Sequence, residues 1–429
     1  MRALTGTHRV PAPVDSYSGS GALQRIEGLL DPGSFVRTPS TPQGSLCTGN
    51  GLLGGKPVVI AATDRDVAGG SFGVAESHAL AELMRQGQAA NLPFILCLDS
   101  AGARLDEGLP ALGAFRQLYR QVLDLRLAGA PMLALLGRDC FGGASMLAAT
   151  CGQRVYAMGS RLAMSGPAVI QALGGRNELD ASDGQAVNAL MGGTARAAME
   201  SAGRLNEDTV YAFRQAALDW LARPGAPPDL REQHNRLGAR LLTHDMAPLP
   251  AAKTPRLPET FLELVPATFE ARETDGAMTG RILPTAPNSY FGFVGGAPVG
   301  ALAAWTLAGE CMQFADAHPG DSLTLLLDSP GQAPTFRDER MLLSEYVAHL
   351  ALVLSSIREA GHRLTLQVLG NAAGGIYVAL AAPAARVVAL PGASVQILPP
   401  AAIARVLRRQ SPQTSIDDYL QSGVIDALV

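Results

Sequence analysis

The chain has 429 residues, of which 47% are hydrophobic and 17% charged, and its formal net charge is −4. This balance excludes the basic surface that binds nucleic acid, and no apolar run reaches the roughly 18 residues of a membrane helix. None of the five cysteines forms a Cys-x-x-Cys pair, which argues against a zinc ribbon and predicts reduced, buried thiols. We therefore expect a globular cytoplasmic protein of two or three domains.

In the first half of the chain, the predicted elements alternate between strand and helix. Residues 1–20 are rich in proline, glycine and serine, which predicts a flexible arm. The elements that follow are a short helix within 22–35, a strand at 55–64, a helix at 74–90, a strand at 94–99, a helix at 108–127, a strand at 131–136, a helix from 143 and a strand at 153–157. We assign them to one domain, residues 21–223.

A proline-rich and charged stretch, residues 224–279, predicts an inter-domain connector with one helix at 230–242. Residues 280–429 then predict a second domain of the same kind. Its elements are a strand from 280, strands at 295–305 and 322–328, a helix at 338–361, a strand at 364–370, a helix at 375–382, strands at 387–391 and 395–399, and further helix in the tail with a capped start near 414.

The two halves repeat one pattern at matched spacing. In the first half Gly142 follows Asp99 by 43 residues, and in the second Gly374 follows Asp328 by 46. Each of these glycines starts a Gly-Gly pair between a strand and a helix, and an arginine follows 12 residues later. Crossovers of this length imply parallel β-α units. The short strands and recurring glycine turns favour stacked β-β-α turns over a doubly wound nucleotide fold.

Each glycine pair predicts an oxyanion pocket. A helix N-terminus leaves backbone N–H groups unpaired, and glycine lets a ligand oxygen approach them closely. The first pocket would use Gly142 and Gly143, with a second donor from the turn at Ser71, Phe72 and Gly73. The second would use Gly374 and Gly375, with a donor from 295–296 or 307–309. The alternative is that the pairs only permit tight helix–strand packing.

Two hydroxyls are candidates for a proton donor. Ser165 precedes a Gly-Pro turn, and Tyr377 follows the second glycine pair by two residues. The alternatives are a turn hydroxyl for Ser165 and core packing for Tyr377. Asp99 and Asp328 end strands and are interpreted as turn or cap residues. Arg104 could meet a carboxylate or phosphate, or could be a solvated surface cation.

Other kinds of chemistry lack the residues that they require. No Gly-x-Gly-x-x-Gly motif follows a strand, and there is no Walker lysine. Only two lysines occur, so Schiff-base chemistry has almost no candidate, and the seven histidines are scattered without ligand spacing. Neither a nucleotide site nor a metal site is expected.

Residues 137–170, GRDCFGGASMLAATCGQRVYAMGSRLAMSGPAVI, resemble the carboxyltransferase branch of the crotonase superfamily, and most closely the β subunit of biotin-independent malonate decarboxylase. The shared motifs are Cys-Phe-Gly-Gly at 140–143 and the Ser-Gly-Pro at 165–167. From 280 onward, LLLDSPGQAP and AGHRLTLQVLGNAAGGIYVALAA resemble the γ subunit of the same enzyme. The γ subunit usually has Ser-Gly where this chain has Gly374-Gly375, so a hydroxyl is missing there.

The resemblance implies two tandem crotonase-like (ββα)n spiral domains in a natural β–γ fusion. The implied enzyme is a carboxy-lyase that decarboxylates a malonyl thioester and binds no cofactor itself, since the substrate is carried on a CoA-type or phosphopantetheine-type thiol. The implied partners are an acyl-carrier protein, an acyl-transferase subunit and a second copy in a homodimer. The implied substrate-binding residues are Arg104, Phe141, Ala144, Gly166 and Pro167. A biotin-dependent carboxyltransferase and a non-catalytic scaffold for the carrier protein stay open as alternatives.

Overall fold

The computed structural model describes residues 15–38, 44–223, 225–246, 249–265, 268–282, 288–399, 403 and 415–428. Most of the predicted arm, residues 1–14, and the part of the tail at 404–414 lie outside the described residues. Within the described residues, no helix is long and apolar enough to cross a membrane. The five cysteines are free and buried, in agreement with the prediction from their spacing.

The first domain is built on one sheet in the order β1-β2-β3-β4-β5-β6-β8, with β7 paired to β5. Strands β1 to β3 pair antiparallel, and the pairs from β3 onward are parallel. The strands are β1 Val36–Arg37, β2 Leu46–Leu53, β3 Lys56–Thr63, β4 Phe94–Ser100, β5 Met132–Phe141, β6 Gln153–Ala157, β7 Arg161–Ala163 and β8 Gly203–Asn206.

Helices connect these strands as the alternating pattern predicts. They are α1 Ala22–Leu29, α2 Val74–Ala89, α3 Leu109–Leu127, α4 Gly143–Thr150, α5 Pro167–Gly174, α6 Gly184–Met191, α7 Gly193–Met199 and α8 Val210–Leu221. Strand β5 runs five residues past its predicted end, to Phe141. The extension pairs with β7 and carries the backbone straight into the glycine pair at the start of α4.

The second domain repeats the arrangement with the sheet order β16-β14-β13-β12-β11-β10-β9, and β15 pairs with β13. Its strands are β9 Phe269–Thr274, β10 Ala277–Ile282, β11 Asn288–Phe293, β12 Ser322–Ser329, β13 Leu364–Ala373, β14 Arg386–Ala389, β15 Ser394–Gln396 and β16 Ala427–Leu428. The connector contributes α9 Leu230–Thr243 and α10 Glu259–Leu262, and the domain itself α11 Ala301–Ala317, α12 Phe336–Arg340, α13 Leu343–Glu359, α14 Gly374–Ala381 and α15 Ile416–Gln421.

The prediction of two tandem α/β domains of the same kind is confirmed by this repetition. The match extends to fine detail, because the ladder β4–β5 shifts register between Leu98 and Ser100, and β12–β13 shifts between Leu327 and Ser329. Each shift falls at the aspartate just before the last residue of the strand, Asp99 in β4 and Asp328 in β12. The duplication is therefore visible in backbone irregularities as well as in the sequence spacing.

Two elements of the second domain differ from their prediction. The strand predicted at 295–305 is wrong: β11 ends at Phe293, and helix α11 starts at Ala301. The run from 301 is rich in alanine and leucine, which favour helix when no β-branched residues compete. The single helix predicted at 338–361 is two helices, because Leu342 adopts a left-handed φ of 65° between α12 and α13.

The predicted domain limits also shift. Residues 15–20 pack on the first domain, where Tyr17 is fully buried and its ring stacks on Phe213 at 3.8 Å. Strand β9 belongs to the second sheet, so that domain includes residues from 269 that we had assigned to the connector. Connector helix α9 packs on α11 and α13, and the Tyr346 hydroxyl donates to the Leu237 carbonyl at 2.9 Å.

The two domains contact each other through helices that start near the glycine turns. Helix α13 packs against α4 and α3. The Ser145 and Ser344 hydroxyls share a hydrogen bond of 2.7 Å, and Arg154 forms an ion pair with Glu345 at 3.3 Å. This interface places the N-termini of α4 and α14 close to one another.

Candidate active site

A cavity of about 140 Å³ lies between the two domains, and both glycine pairs line it. The prediction that the two turns face a shared cleft is therefore confirmed within a single chain. The wall is largely aromatic and aliphatic, with side chains that include Phe72, Phe115, Phe141, Met146, Met164, Val378 and Ile397. Among the described residues, Ser165 and Gln332 are the polar residues of the lining, and none of the described lining residues is charged.

The first glycine turn offers free amides one residue later than expected. Gly142 has a φ of 57°, and its own N–H is used, since it donates to the carbonyls of Ala163 and Met164 at 3.2 Å each. In the described structure the amide of Gly143, the first residue of α4, has no acceptor. Gly143 is therefore the candidate oxyanion donor, and Gly142 provides the left-handed turn that exposes it.

The loop that faces this turn is Gly102–Ala103. A Cβ placed on Gly102 would lie 3.3 Å from the Phe141 carbonyl oxygen, and one placed on Gly142 would lie 3.5 Å from the Gly102 Cα. Gly102 and Ala103 both line the cavity. Among the described residues, the Ala103 amide has no acceptor either, so this loop supplies the second candidate donor.

The turn at Ser71–Gly73, predicted as that second donor, does not have a free amide. The Ser71 N–H donates to Ala68 O at 3.2 Å, the Phe72 N–H to Gly102 O at 2.9 Å, and the Gly73 N–H to Glu76 Oε2 at 3.0 Å. Ser71 and Gly73 do not line the cavity, whereas the Phe72 ring does. The turn supports the Gly102 loop and does not face the cavity with its backbone.

The glycine turn of the second domain has the same backbone geometry as the first, but its corresponding amide is hydrogen-bonded to a side chain. Gly374 has a φ of 58° and Gly331 a φ of 113°, close to the values of 57° for Gly142 and 111° for Gly102. The Gly375 amide, however, donates to Oε1 of Gln332 at 3.3 Å. A Cβ on Gly375 would lie 1.9 Å from Met164 Cε, so this turn also packs directly on the first domain.

The donors predicted at 295–296 and 307–309 are therefore corrected to the Gly331–Gln332 loop. The Gly296 N–H donates to Asp328 O at 3.0 Å, and residues 307–309 lie inside helix α11. Neither segment lines the cavity.

Ser165 is a buried residue of the cavity wall. Its Oγ has no hydrogen-bond partner among the described residues. Its backbone N–H donates to Glu339 Oε1 at 2.5 Å, so the loop is held from the second domain. Gly166 lines the cavity as expected, whereas Pro167 starts helix α5 and does not.

Glu339 is fully buried beside this loop. Burial raises the pKa of the Glu339 carboxyl to about 7, against the opposing effects of Arg196 and of the Ser165 and Met164 amides, which favour the charged form.

Tyr377 is not part of the cavity. Its hydroxyl donates to the Val424 carbonyl, and the side chain is fully buried in the second-domain core. Burial raises the pKa of the Tyr377 hydroxyl, which makes it a poorer acid. Val378, the next residue on α14, lines the cavity instead. The core-packing interpretation of Tyr377 is the one that the structure supports.

Arg104 forms an ion pair with Glu76 next to the Ser71–Gly73 turn. Its guanidinium contacts Glu76 Oε1 at 2.8 Å and donates to Ser71 O at 2.9 Å and Ser45 Oγ at 3.1 Å. It does not line the cavity, although Ala103 and Leu105 on either side do. Ala144 is also buried away from the cavity, whereas Phe141 lines it.

Asp99 and Asp328 lie within β4 and β12 and hold the backbone of the next strand, so their interpretation as turn or cap residues is wrong. Asp99 is buried, forms ion pairs with Arg25 at 2.7 Å and Arg65 at 3.1 Å, and accepts the Asp139 N–H at 3.2 Å. Asp328 accepts the Asn371 N–H at 2.9 Å. In both domains the aspartate thus braces the following strand just before its glycine turn.

Sequence reasoning missed three residues of the site: Ala103, Gln332 and Glu339. The repeat contained a signal for the first two. Asp-Ser-x-Gly occurs at 99–102 and again at 328–331, and both second-position serines accept the amide of their glycine, at 3.1 and 3.2 Å. Comparing the two halves for three residues beyond each aspartate would have located the loops that face the glycine turns, Gly102–Ala103 and Gly331–Gln332.

Comparison with known proteins identifies the two halves. Residues 20–202 match the family model of the carboxyl transferase domain, and residues 295–418 match that of the malonate decarboxylase gamma subunit. The chain thus combines a region similar to the carboxyl transferase domain with a region similar to the malonate decarboxylase gamma subunit, which is consistent with the β–γ fusion that the motifs implied.

Curated relatives and solved structures are similar to different portions of this chain. The methylmalonyl-CoA carboxyltransferase 12S subunit of Propionibacterium freudenreichii subsp. shermanii is 25% identical over 92% of this chain and 79% of its own length. A malonyl-S-ACP:biotin-protein carboxyltransferase of Malonomonas rubra is 24% identical over 49% of this chain and 76% of its own length. A solved Pseudomonas malonate decarboxylase hetero-tetramer in complex with malonate has 28% identity over 55% of this chain and 94% of the matched chain, with a TM-score of 0.49.

Proposed function

We propose that this carboxyltransferase–decarboxylase fusion decarboxylates a malonyl thioester, releasing CO2 and leaving the acetyl thioester. The observation that carries the proposal is the inter-domain cavity itself, which combines free backbone amides with an uncharged, mainly apolar wall. A site of this kind suits a reaction in which negative charge leaves a carboxylate and develops on a thioester oxygen.

The amides would stabilise the enolate. Cleavage of the bond between the α-carbon and the carboxyl group leaves its electron pair on the α-carbon, delocalised onto the thioester oxygen. The N–H groups of Gly143 and Ala103 would donate to that oxygen. Removing one donor from such a pocket typically costs about 10²–10³ in rate.

The apolar wall would disfavour the ground state. Among the described residues of the lining, a carboxylate would find no lysine or arginine to pair with, so its charge would be poorly solvated. Neutral CO2 does not carry this penalty. The reaction therefore relieves an unfavourable burial as the bond breaks.

The enolate carbon must finally accept a proton. The Ser165 hydroxyl is the candidate donor, because Ser165 lines the cavity and its Oγ has no hydrogen-bond partner among the described residues. Gln332 contributes differently: its Oε1 accepts the Gly375 N–H, so its Nε2 must point elsewhere and can donate to the substrate.

The thioester would be carried on a CoA-type or phosphopantetheine-type thiol, with an acyl-carrier protein as partner and no cofactor on this chain. Three arginines near the cavity could meet an anionic arm with the part of their charge that faces solvent. Arg65, Arg138 and Arg161 each form an ion pair with Asp99 or Asp139 and are about a third exposed, at 30%, 31% and 32%. Arg138 lies on β5 only three residues before the cavity-lining Phe141, within roughly 10 Å at the rise of a strand. An acyl-transferase subunit and a homodimer remain expectations from the resemblance.

Carboxyl transfer to or from biotin is the second candidate function. It is favoured by the 12S subunit relative, which aligns with 92% of this chain. Such a reaction would use the same amides and the same cavity but would need a biotinyl protein to receive the carboxyl group.

One biotin-free incubation separates these functions. Purified protein is mixed with malonyl-CoA or malonyl-carrier protein, and products are identified by mass spectrometry. We expect acetyl thioester and CO2 without biotin. Turnover that occurs only when a biotinyl protein is added would support the transferase, and a protein that binds the carrier without turnover would be a scaffold.

A further inference from the structure

We propose that Glu339 of the second domain is a positioning residue that sets the Ser165 loop of the first domain against the cavity. The inference rests on the decarboxylation proposed above and assigns a residue that neither glycine turn contains.

The contact is made by one carboxyl group to two adjacent amides. Glu339 Oε1 accepts the Ser165 N–H at 2.5 Å, and Oε2 accepts the Met164 N–H at 3.1 Å. Met164, Ser165 and Gly166 all line the cavity. A shift of this carboxyl group therefore moves three consecutive residues of the cavity wall.

A buried arginine holds the backbone of Glu339 and lies close to its carboxyl group. Arg196 on α7 donates from Nε to Leu162 O at 2.8 Å and from Nη1 to Glu339 O at 2.7 Å, and its Nη2 lies 3.8 Å from Glu339 Oε2. Both side chains are 0% exposed. Arg196 thus ties the start of the loop, at Leu162, to the residue that holds its end.

Such a pair is better suited to fixing geometry than to stabilising the fold. The attraction between two buried charges is largely offset by their loss of hydration, so a buried ion pair is weak evidence for stability. Its directional contacts nevertheless define one position for the loop. The Ser165 Oγ, which has no other partner, can then turn only within the space that the held backbone leaves to it.

Glu339→Gln is the direct test. The variant has one acceptor oxygen, and its NH2 group must face one of the two loop amides, donor against donor. We expect kcat for decarboxylation to fall at least about tenfold, with KM within about threefold, since small displacements of reacting groups can cost about 10²-fold. Glu310→Gln is the matched control: it makes the same change on α11 of the same domain, at a residue that does not line the cavity.

A double-mutant cycle distinguishes positioning from a general structural role. If Glu339 acts through the Ser165 loop, Ser165→Ala should cost much less in the Glu339→Gln background than in the wild-type protein. Losses that multiply independently would overturn the inference, as would an unchanged kcat in Glu339→Gln.

A fallback variant and the activity of the wild-type protein distinguish a failure of this inference from a failure of the proposed function. If Glu339→Gln does not fold, Glu339→Asp serves instead, because it keeps the charge but is too short to reach both amides; wild-type kcat in that variant would overturn the inference. A wild-type protein that releases no CO2 from malonyl thioester would count against the proposed function. An active wild type with an unaffected Glu339 variant would count only against this inference.

Discussion

The amide of Gly375 donates to Oε1 of Gln332 at 3.3 Å, whereas the equivalent amide in the first domain, that of Gly143, has no acceptor in the described structure. The two halves share one backbone geometry but differ in whether a side chain occupies the turn. The first turn thus leaves its amide free at the cavity, and in the second turn the side chain of Gln332 takes up the equivalent amide.

Replacing Gln332 tests this division of roles. We expect Gln332→Leu to lower kcat/KM at least about tenfold, because it removes the Nε2 donor and leaves the Gly375 amide without its acceptor. Gln313→Leu, on the exposed side of α11, is the control and should leave kcat/KM unchanged. Equal values for wild type and Gln332→Leu in the thioester assay would remove Gln332 from the site.

Gly143→Ala tests the first turn. An added Cβ would lie 2.6 Å from Phe115 Cζ, so the methyl group must displace a ring that lines the cavity and disturb the donor beside it. We expect at least a tenfold loss of turnover together with a lower Tm. Gly184 also starts a helix of the same domain, but a Cβ there would meet nothing within 4 Å.

Gly184→Ala should therefore keep wild-type turnover and raise Tm slightly, since alanine costs less backbone entropy than glycine in a helix. Turnover is followed by CO2 release, and Tm by calorimetry. Full activity in Gly143→Ala would mean that this amide does not face the substrate.

A lysine at Val169 tests whether the uncharged wall drives the reaction. Val169 is half-buried and lines the cavity, so an ammonium group there could pair with the substrate carboxylate. We expect KM for the malonyl thioester to fall and kcat to fall at least about tenfold, since the ground state gains more than the transition state. Val169→Leu controls for size. A kcat that rises in Val169→Lys would contradict the role of desolvation.

Removing each of the two candidate proton-donor hydroxyls should have a different effect on turnover and on stability. Tyr377→Phe loses one hydrogen bond to the Val424 carbonyl, which costs about 1 kcal/mol of stability, and should leave turnover unchanged. Ser165→Ala should reduce turnover without a large loss of stability, because its Oγ has no protein partner to lose. Deuterium incorporation into the acetyl product measures the protonation step. The opposite ranking of the two variants would restore Tyr377 as the donor.

The pKa of Glu339 predicts a pH dependence of stability. Burial raises this pKa from 4.5 to about 7. Between these values the folded protein binds a proton that the unfolded chain has released, so the free energy of unfolding should fall as pH rises from about 4.5 to about 7. The charged groups that act on Glu339 are Arg196, which lowers its pKa, and Asp338, which raises it.

Glu339→Gln cannot titrate and should show a flatter pH dependence over this window. Urea unfolding at several pH values measures both proteins, and the difference between the curves isolates this residue from other titrating groups. Parallel curves would show that Glu339 has the same pKa folded and unfolded.

Much of the fold was accessible from local sequence pattern. Helix α3 was predicted to within one residue at its start, and the glycine pairs were correctly placed between strand and helix, because a buried apolar strand and a following helix are encoded by neighbouring residues. The error at 295–305 also has a local cause, since short apolar runs are ambiguous between strand and helix.

The sequence by itself determined the duplication, the two glycine turns and the absence of nucleotide-binding and Schiff-base motifs, since each depends on residue type and spacing along the chain. Only the tertiary structure decided which loop faces each turn and that Arg104 forms an ion pair with Glu76. It also decided that the Tyr377 side chain lies in the core and that Glu339 holds the Ser165 loop. Those facts depend on contacts between residues far apart in sequence, and Glu339 reaches a loop 174 residues away in the other domain. Hydrogen-bonding capacity can be read from a residue's identity, but its partner is chosen by the packing of the whole chain.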